Sequence, residues 1–107
     1  MKISWSNQAK RSWYKTLQYI SDEFGYGSAV KFRRATSKVA KQIQKFPKSG
    51  PVEPLLEGME IERRCIGFAD YNKMIYHVFD DMIYVDDIWD TRREPKNQAN
   101  ETVSKYQ

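Results

Sequence analysis

The sequence predicts an α+β domain, an N-terminal strand and an antiparallel helix hairpin packed on an antiparallel β-meander. Three observations predict it. Apolar residues recur at helical spacing from Ala9 to Phe24 and again from Phe32 to Phe46. Three apolar-rich segments separated by short turns follow between Glu60 and Asp90. Between these halves, Pro47, Gly50, Pro51, Pro54 and Gly58 punctuate a stretch anchored by Leu55 and Leu56, which reads as a loop rather than a domain boundary.

Lys2-Ile3-Ser4-Trp5 alternates polar and apolar residues, enough for a short strand able to join the meander. Ser6 or Asn7 caps the first helix, whose stripe is Ala9, Trp13, Leu17, Ile20 and Phe24, and Gly25 offers a left-handed stop. Gly25-Tyr26-Gly27 then permits a tight reversal, and Ser28 is placed to cap a second helix. Phe32, Ala35, Val39, Ile43 and Phe46 trace its stripe up to Pro47. A parallel row, Lys31, Arg34, Lys38, Lys41 and Lys45, runs beside that stripe. Such a row is ordinarily the solvated face of a helix buried on one side, and alternatively a surface for a polyanion or an acidic partner.

The meander is expected as Glu60 to Ile66, a turn over Gly67 to Asp70, Tyr71 to Phe79, a tight turn at Asp80-Asp81, and Met82 to Asp90. In its middle strand Met74, Tyr76 and Val78 face one way, and Lys73, Ile75, His77 and Phe79 the other. Both faces carry apolar groups, as a central strand requires. In the last strand Ile88 is out of phase with Ile83 and Val85, so a bulge near Asp86-Asp87 is expected. The domain is therefore placed at residues 1–95. Residues 96–107 form a polar tail, expected to be mobile unless a partner orders it.

A chain of 107 residues buries roughly two thirds of its unfolded surface and needs neither metal nor disulfide to fold. The single cysteine, Cys65, and the lack of an N-terminal apolar run point to a reducing cytoplasm, and no segment has the length and apolarity of a membrane span. The net charge of +4 conceals an asymmetry. Residues 1–50 hold eleven Lys or Arg against Asp22 and Glu23, whereas residues 51–107 hold seven against twelve Asp or Glu. A basic half suits an anionic partner; the acidic half argues against a surface that is nucleic-acid-binding throughout.

His77 is the only histidine, which excludes paired-histidine metal sites and most histidine-dependent nucleophilic schemes. Cys65, on a strand, reads as a small buried apolar group. Asp86, Asp87 and Asp90 are hard-ligand candidates for a divalent cation, but strand carboxylates are more often solvent-exposed, so no metal or cofactor is assigned. No glycine-rich phosphate loop is present. The remaining chemistry lies with Arg63, Arg64, Lys73, Arg92 and Arg93. Drawn from three strands or their ends, these cations are expected to converge on one sheet edge, there to grip a phosphate or stabilise a transition state. The plainer reading pairs them across the sheet with Glu60, Glu62, Asp86, Asp87 and Glu94.

The segments Tyr71-Asn72-Lys73-Met74-Ile75-Tyr76-His77-Val78 and Ile83-Tyr84-Val85-Asp86-Asp87-Ile88-Trp89-Asp90-Thr91-Arg92-Arg93-Glu94-Pro95, in this order of elements, resemble the RelE/ParE superfamily of toxins over residues 2–95. The resemblance implies a toxin of a type II toxin-antitoxin module that arrests growth and is silenced by a cognate antitoxin. It implies one of two targets: DNA gyrase, as for ParE, or messenger RNA on the ribosome, as for RelE, which would make the chain a metal-independent endoribonuclease. DNA contact is then expected only indirectly, through the antitoxin complex. In the nuclease case Arg64, Lys73, Arg92 and Arg93 match the family's catalytic positions, with Arg63 a near alternative to Arg64. Asp90 departs from the pattern, because nucleolytic relatives often carry a basic group there, and a carboxylate repels an RNA phosphate. That departure favours the ParE-like reading. Arg63, Trp89, Asp90 and the row Lys31, Arg34, Lys38, Lys41 and Lys45 are then expected to meet target or antitoxin.

Overall fold

The computed structural model describes residues 1–92 and 95–104; Arg93, Glu94 and residues 105–107 lie outside the described residues. Strand β1 (Lys2–Trp5) leads into helices α1 (Asn7–Phe24) and α2 (Tyr26–Lys45). A one-turn 3-10 helix at Pro54–Leu56 precedes strands β2 (Arg64–Phe68), β3 (Asn72–Phe79) and β4 (Met82–Asp90), and helix α3 (Pro95–Ser104) closes the chain. The sheet order is β1-β4-β3-β2, with β1 parallel to β4 and the other pairs antiparallel.

Each boundary has a local cause. The Ser6 side chain accepts the Ala9 N–H at 2.9 Å and so caps α1. Gly25, at φ +90°, reverses the chain alone, so α2 begins at Tyr26, earlier than the expected cap at Ser28. Asp80 and Asp81 take φ values of +50° and +60°, the left-handed pair that matches strand twist in a two-residue hairpin. The first meander strand starts at Arg64 rather than Glu60, because the linker takes over the chain before it. Glu53 N–H bonds the Arg63 carbonyl and Cys65 N–H bonds the Pro51 carbonyl, each at 2.9 Å, so this stretch covers the outer edge of β2.

The helix hairpin packs on one sheet face around Ala9, Val39, Ile43, Met74, Tyr76, Ile83, Val85 and Ile88. A smaller core of Leu56, Cys65, Ile75, Trp89 and Ala99 fills the other face. The alternation expected in β3 is thus observed, one apolar set against each layer. The phase break in β4 is also real, since the register passes from Tyr76↔Val85 to Ile75↔Asp87 and leaves Asp86 as the extra residue.

The segment expected to be a mobile tail begins with α3, which docks on the sheet. Gln98, Ala99 and Thr102 are buried. The Gln98 amide accepts Asp90 N–H and donates to Asp90 O, both at 2.8 Å, and so pairs with the β4 backbone where β1 has ended. Trp89 Nε1 donates to Thr102 Oγ1 at 3.0 Å. A polar segment that docks through amide and hydroxyl groups leaves little trace in a hydrophobic pattern. Among the described residues no helix is long and apolar enough to cross a membrane.

Asp87 lies at the junction of α1, β4 and α3. Its carboxyl oxygens meet Ser12 Oγ at 2.6 Å, Ile88 N–H at 2.8 Å and Thr102 Oγ1 at 2.8 Å. Desolvation pushes its pKa above the ordinary Asp range, against the opposing pull of those hydrogen bonds. The Thr102 hydroxyl has one proton but a second acceptor, Gln98 O, at 2.9 Å, so a proton-bearing group at position 87 completes the network. Because the folded state holds the Asp87 proton more tightly than the unfolded chain, this site's contribution is fully present below the unfolded pKa and is lost as pH rises through the folded one. Asp87→Asn keeps an acceptor for Ser12 and Ile88 and supplies a donor for Thr102. We expect it to raise the urea midpoint at neutral pH, with the difference from the native chain closing by about pH 3, below the unfolded Asp value; a variant less stable at neutral pH would show that the charge itself is used.

Candidate target-binding surface

Among the described residues, the sheet cations Arg63, Arg64, Lys73 and Arg92 do not converge. Arg64 stands opposite Tyr76, on the face of the larger core, whereas Lys73 shares the face of Ile75. Arg63 is 2% exposed, its Nε donating to Asp86 Oδ2 at 3.2 Å, and His77 Nδ1 lies 2.7 Å from the same oxygen. Arg64 donates to Gly50 O at 2.8 Å and to Glu62 at 3.1 Å, and Lys73 donates to Glu53 at 2.9 Å. Arg92 pairs with Asp90, and Arg93 lies outside the described residues. Pairing with carboxylates is therefore what the described cations do: Arg63–Asp86 spans the sheet as foreseen, Lys73 reaches Glu53 in the linker, and Arg64–Glu62 and Arg92–Asp90 are local pairs two residues apart.

Burial reassigns two residues expected to meet a partner. Arg63 is a core ion pair, and Trp89, 2% exposed, is the floor on which α3 rests. Asp86 and Asp87, expected to be solvent-exposed, are buried and held by different partners, and among the described residues no three His, Cys, Asp or Glu side chains gather as a metal site. Burial, reinforced by Glu53, pushes the Cys65 thiol up to about 11, so it stays protonated and unreactive at neutral pH.

What remains accessible centres on Arg92. Asp90 accepts its backbone N–H at 2.9 Å and grips the guanidinium with both oxygens, from Nε and from Nη2 at 3.1 Å each. These hydrogen bonds hold the Arg92 pKa above its ordinary value. The guanidinium carbon lies 4.6 Å from the Tyr71 ring centroid and 5.9 Å from that of Tyr19, within cation–π range of both. Tyr71 is fixed by its own backbone, whose carbonyl accepts Thr91 N–H at 2.8 Å and Thr91 Oγ1–H at 3.0 Å. The turn before it places Ala69 and Asp70 at φ +48° and +60°, a left-handed conformation that is strained for alanine and is held by this packing.

Two grooves flank the pair. One, of about 460 Å³, runs beneath the hairpin past Ile20, Phe24, Lys31 and Tyr71. The other, of about 430 Å³, lies between α1 and the β4–α3 junction and includes Arg11, Lys15 and Glu101. Both include Thr16 and Tyr19, which makes them one surface along α1. Tyr19, Phe24 and Tyr71 are each about half exposed or more, at 46%, 62% and 52%. An ordered arginine among accessible aromatic rings is the composition of a protein-binding hot spot. The row Lys31, Arg34, Lys38, Lys41 and Lys45 lies exposed along α2.

Residues 3–95 match the family model described as the ParE toxin of the type II toxin-antitoxin system, parDE. The chain belongs to the ParE toxin family. This ParE-type toxin also superposes on a solved chain of the chromosomal ParDE toxin-antitoxin system from P. aeruginosa, with a TM-score of 0.68 and 15% identity, over 84% of its own length and 95% of that chain. At that identity the likeness establishes the fold. No curated protein matches. The resemblance read from the β3 and β4 motifs is confirmed, with ParE as the branch, and the toxin has an antitoxin as its partner.

Arg63 and Arg92 allow a direct contrast. Arg63→Ala removes the arginine from the buried Asp86 carboxylate and is expected to lower unfolding free energy by about 3–5 kcal/mol, most of it recovered when Arg63→Met is combined with Asp86→Leu. Arg92→Ala, at the surface, should stay within about 0.5 kcal/mol of the native chain. Denaturant melts of the four proteins test this, and a fully stable Arg63→Ala would refute the structural role of Arg63.

Proposed function

We propose that this toxin arrests growth in the cytoplasm by binding DNA gyrase through the Arg92 surface, and that it cuts no RNA. The observation that carries the reading is the two-oxygen grip of Asp90 on Arg92. Catalysis of phosphoryl transfer in RNA needs cations aimed at a phosphate with no competing anion, and here the carboxylate already occupies the guanidinium fork. The same carboxylate orients Arg92 against Tyr71 and Tyr19, an ordered contact for a protein surface. The separation of Arg64 and Lys73 on opposite sheet faces supports the reading further.

The antitoxin has a separate place to begin. β2 pairs with β3 only from Asn72 to Tyr76, so residues 77–79 run on without a β2 partner. Beside them Ile61, Val78 and Phe79 are exposed at 37%, 41% and 68%, in a groove of about 720 Å³. An extended or helical antitoxin segment with apolar anchors suits that surface.

Supercoiling by purified gyrase should be inhibited at micromolar excess of the toxin, and Arg92→Ala should raise the concentration needed by about tenfold or more, as for a hot-spot arginine. Undisturbed supercoiling, together with message cut on translating ribosomes, would transfer the protein to the nuclease branch.

A further inference from the structure

Helix α2, Tyr26–Lys45, contains Lys31, Arg33, Arg34, Lys38, Lys41 and Lys45 and no acidic residue. At 3.6 residues per turn, Lys31, Arg34, Lys38, Lys41 and Lys45 occupy roughly an 80° arc opposite buried Phe32, Val39 and Ile43. The row extends for about 21 Å at 1.5 Å per residue. All six cations are exposed, and among the described residues none enters an ion pair. A shallow depression of about 410 Å³ on this face is lined by Arg33, Arg34, Ser37, Lys38 and Lys41, with no apolar or aromatic side chain.

We propose that this face binds the phosphate backbone of duplex DNA directly, in the free toxin, without an antitoxin. The lining decides the partner class. Protein interfaces concentrate aromatic and apolar anchors and are poor in lysine, and none of those anchors lies in the depression. Single-stranded nucleic acid is held on stacking rings, and none is present there. Lysine, arginine and serine are the groups that position a protein on phosphates, and a straight row of them follows a duplex edge. The choice of DNA over an RNA duplex rests on the gyrase reading, since gyrase is itself a DNA-bound enzyme. Engagement through Arg34, Lys38 and Lys41, none of which lines the groove beside Arg92, leaves that surface open to the enzyme.

The binding is electrostatic and independent of sequence. It should show a dissociation constant in the range of about 1 to 100 μM near physiological salt, and a log–log salt slope of about −4 for four to five phosphates engaged. The experiment titrates the full-length toxin into a fluorescent 20-bp DNA duplex, the matching RNA duplex, an oligo-dT strand and poly-glutamate, and reads anisotropy from low to moderate salt. Arg34→Gln/Lys38→Gln/Lys41→Gln should weaken duplex DNA binding by about tenfold or more and flatten the slope by about 3, with an unchanged circular dichroism spectrum, and Arg34→Glu/Lys38→Glu/Lys41→Glu should abolish it. Absence of duplex binding, binding unaffected by either triple substitution, or equal or tighter binding to the RNA duplex, oligo-dT or poly-glutamate would each overturn the proposal. Supercoiling is scored in a separate reaction, so failure of the gyrase reading and failure of this one are distinguishable.

Discussion

Two adjacent buried aspartates at the bulge of β4 hold the remaining elements in place. The bulge turns Asp86 and Asp87 toward different partners. The Asp86 carboxylate meets Arg63 just before β2 and His77 on β3, and its carbonyl accepts the hydroxyl of Ser6, the cap of α1. Asp87 joins Ser12 of α1 to Thr102 of α3. A buried carboxylate is tolerated only where hydrogen bonds or an opposite charge replace its water, so each aspartate fixes the position of whatever supplies them. Strand β4 is thus the element to which the sheet, the hairpin and the last helix are all referred.

Asp90 differs from its two neighbours because it sits where β4 leaves the sheet. It is partly exposed and serves the surface: its backbone is paired by Gln98, while its side chain orders Arg92. Core and surface meet within one residue. Helix α3 pins the backbone of Asp90, Asp90 pins Arg92, and the strained turn at Ala69-Asp70 brings Tyr71 over the guanidinium. An arginine held from three directions loses little freedom on binding, which is how a single surface cation becomes an energetic anchor.

The sequence disclosed whatever depends on periodicity and chain punctuation. The helix stripes, the Asp80-Asp81 turn, the faces of β3 and the bulge all follow from where apolar groups and turn residues fall. It did not disclose what depends on tertiary pairing of polar groups. Nothing local distinguishes Arg63, which is buried, from Arg64, which is not; the difference is made by Asp86, more than twenty positions on. Helix α3 was hidden for the same reason, since Gln98 and Thr102 look like surface residues until Asp90, Asp87 and Trp89 are placed beside them. Asp90 stands out in the sequence through its charge, whereas its structural consequence lies in the partner it holds.

The same pairings change how the chain's charge should be understood. The carboxyl-terminal half is negative by count, yet Glu53, Glu62, Asp86 and Asp90 are each spent on a cation of that same half. Those acids form short dipoles with their partners and project little field. The cations of α2 have no such partners among the described residues, so the basic half is not compensated by the acidic one across the molecule. A net charge of +4 therefore understates the potential at the outer face of the hairpin. The fold keeps two kinds of positive charge apart: guanidinium and ammonium groups locked to carboxylates within and around the sheet, and a row on α2 that has no carboxylate partner among the described residues.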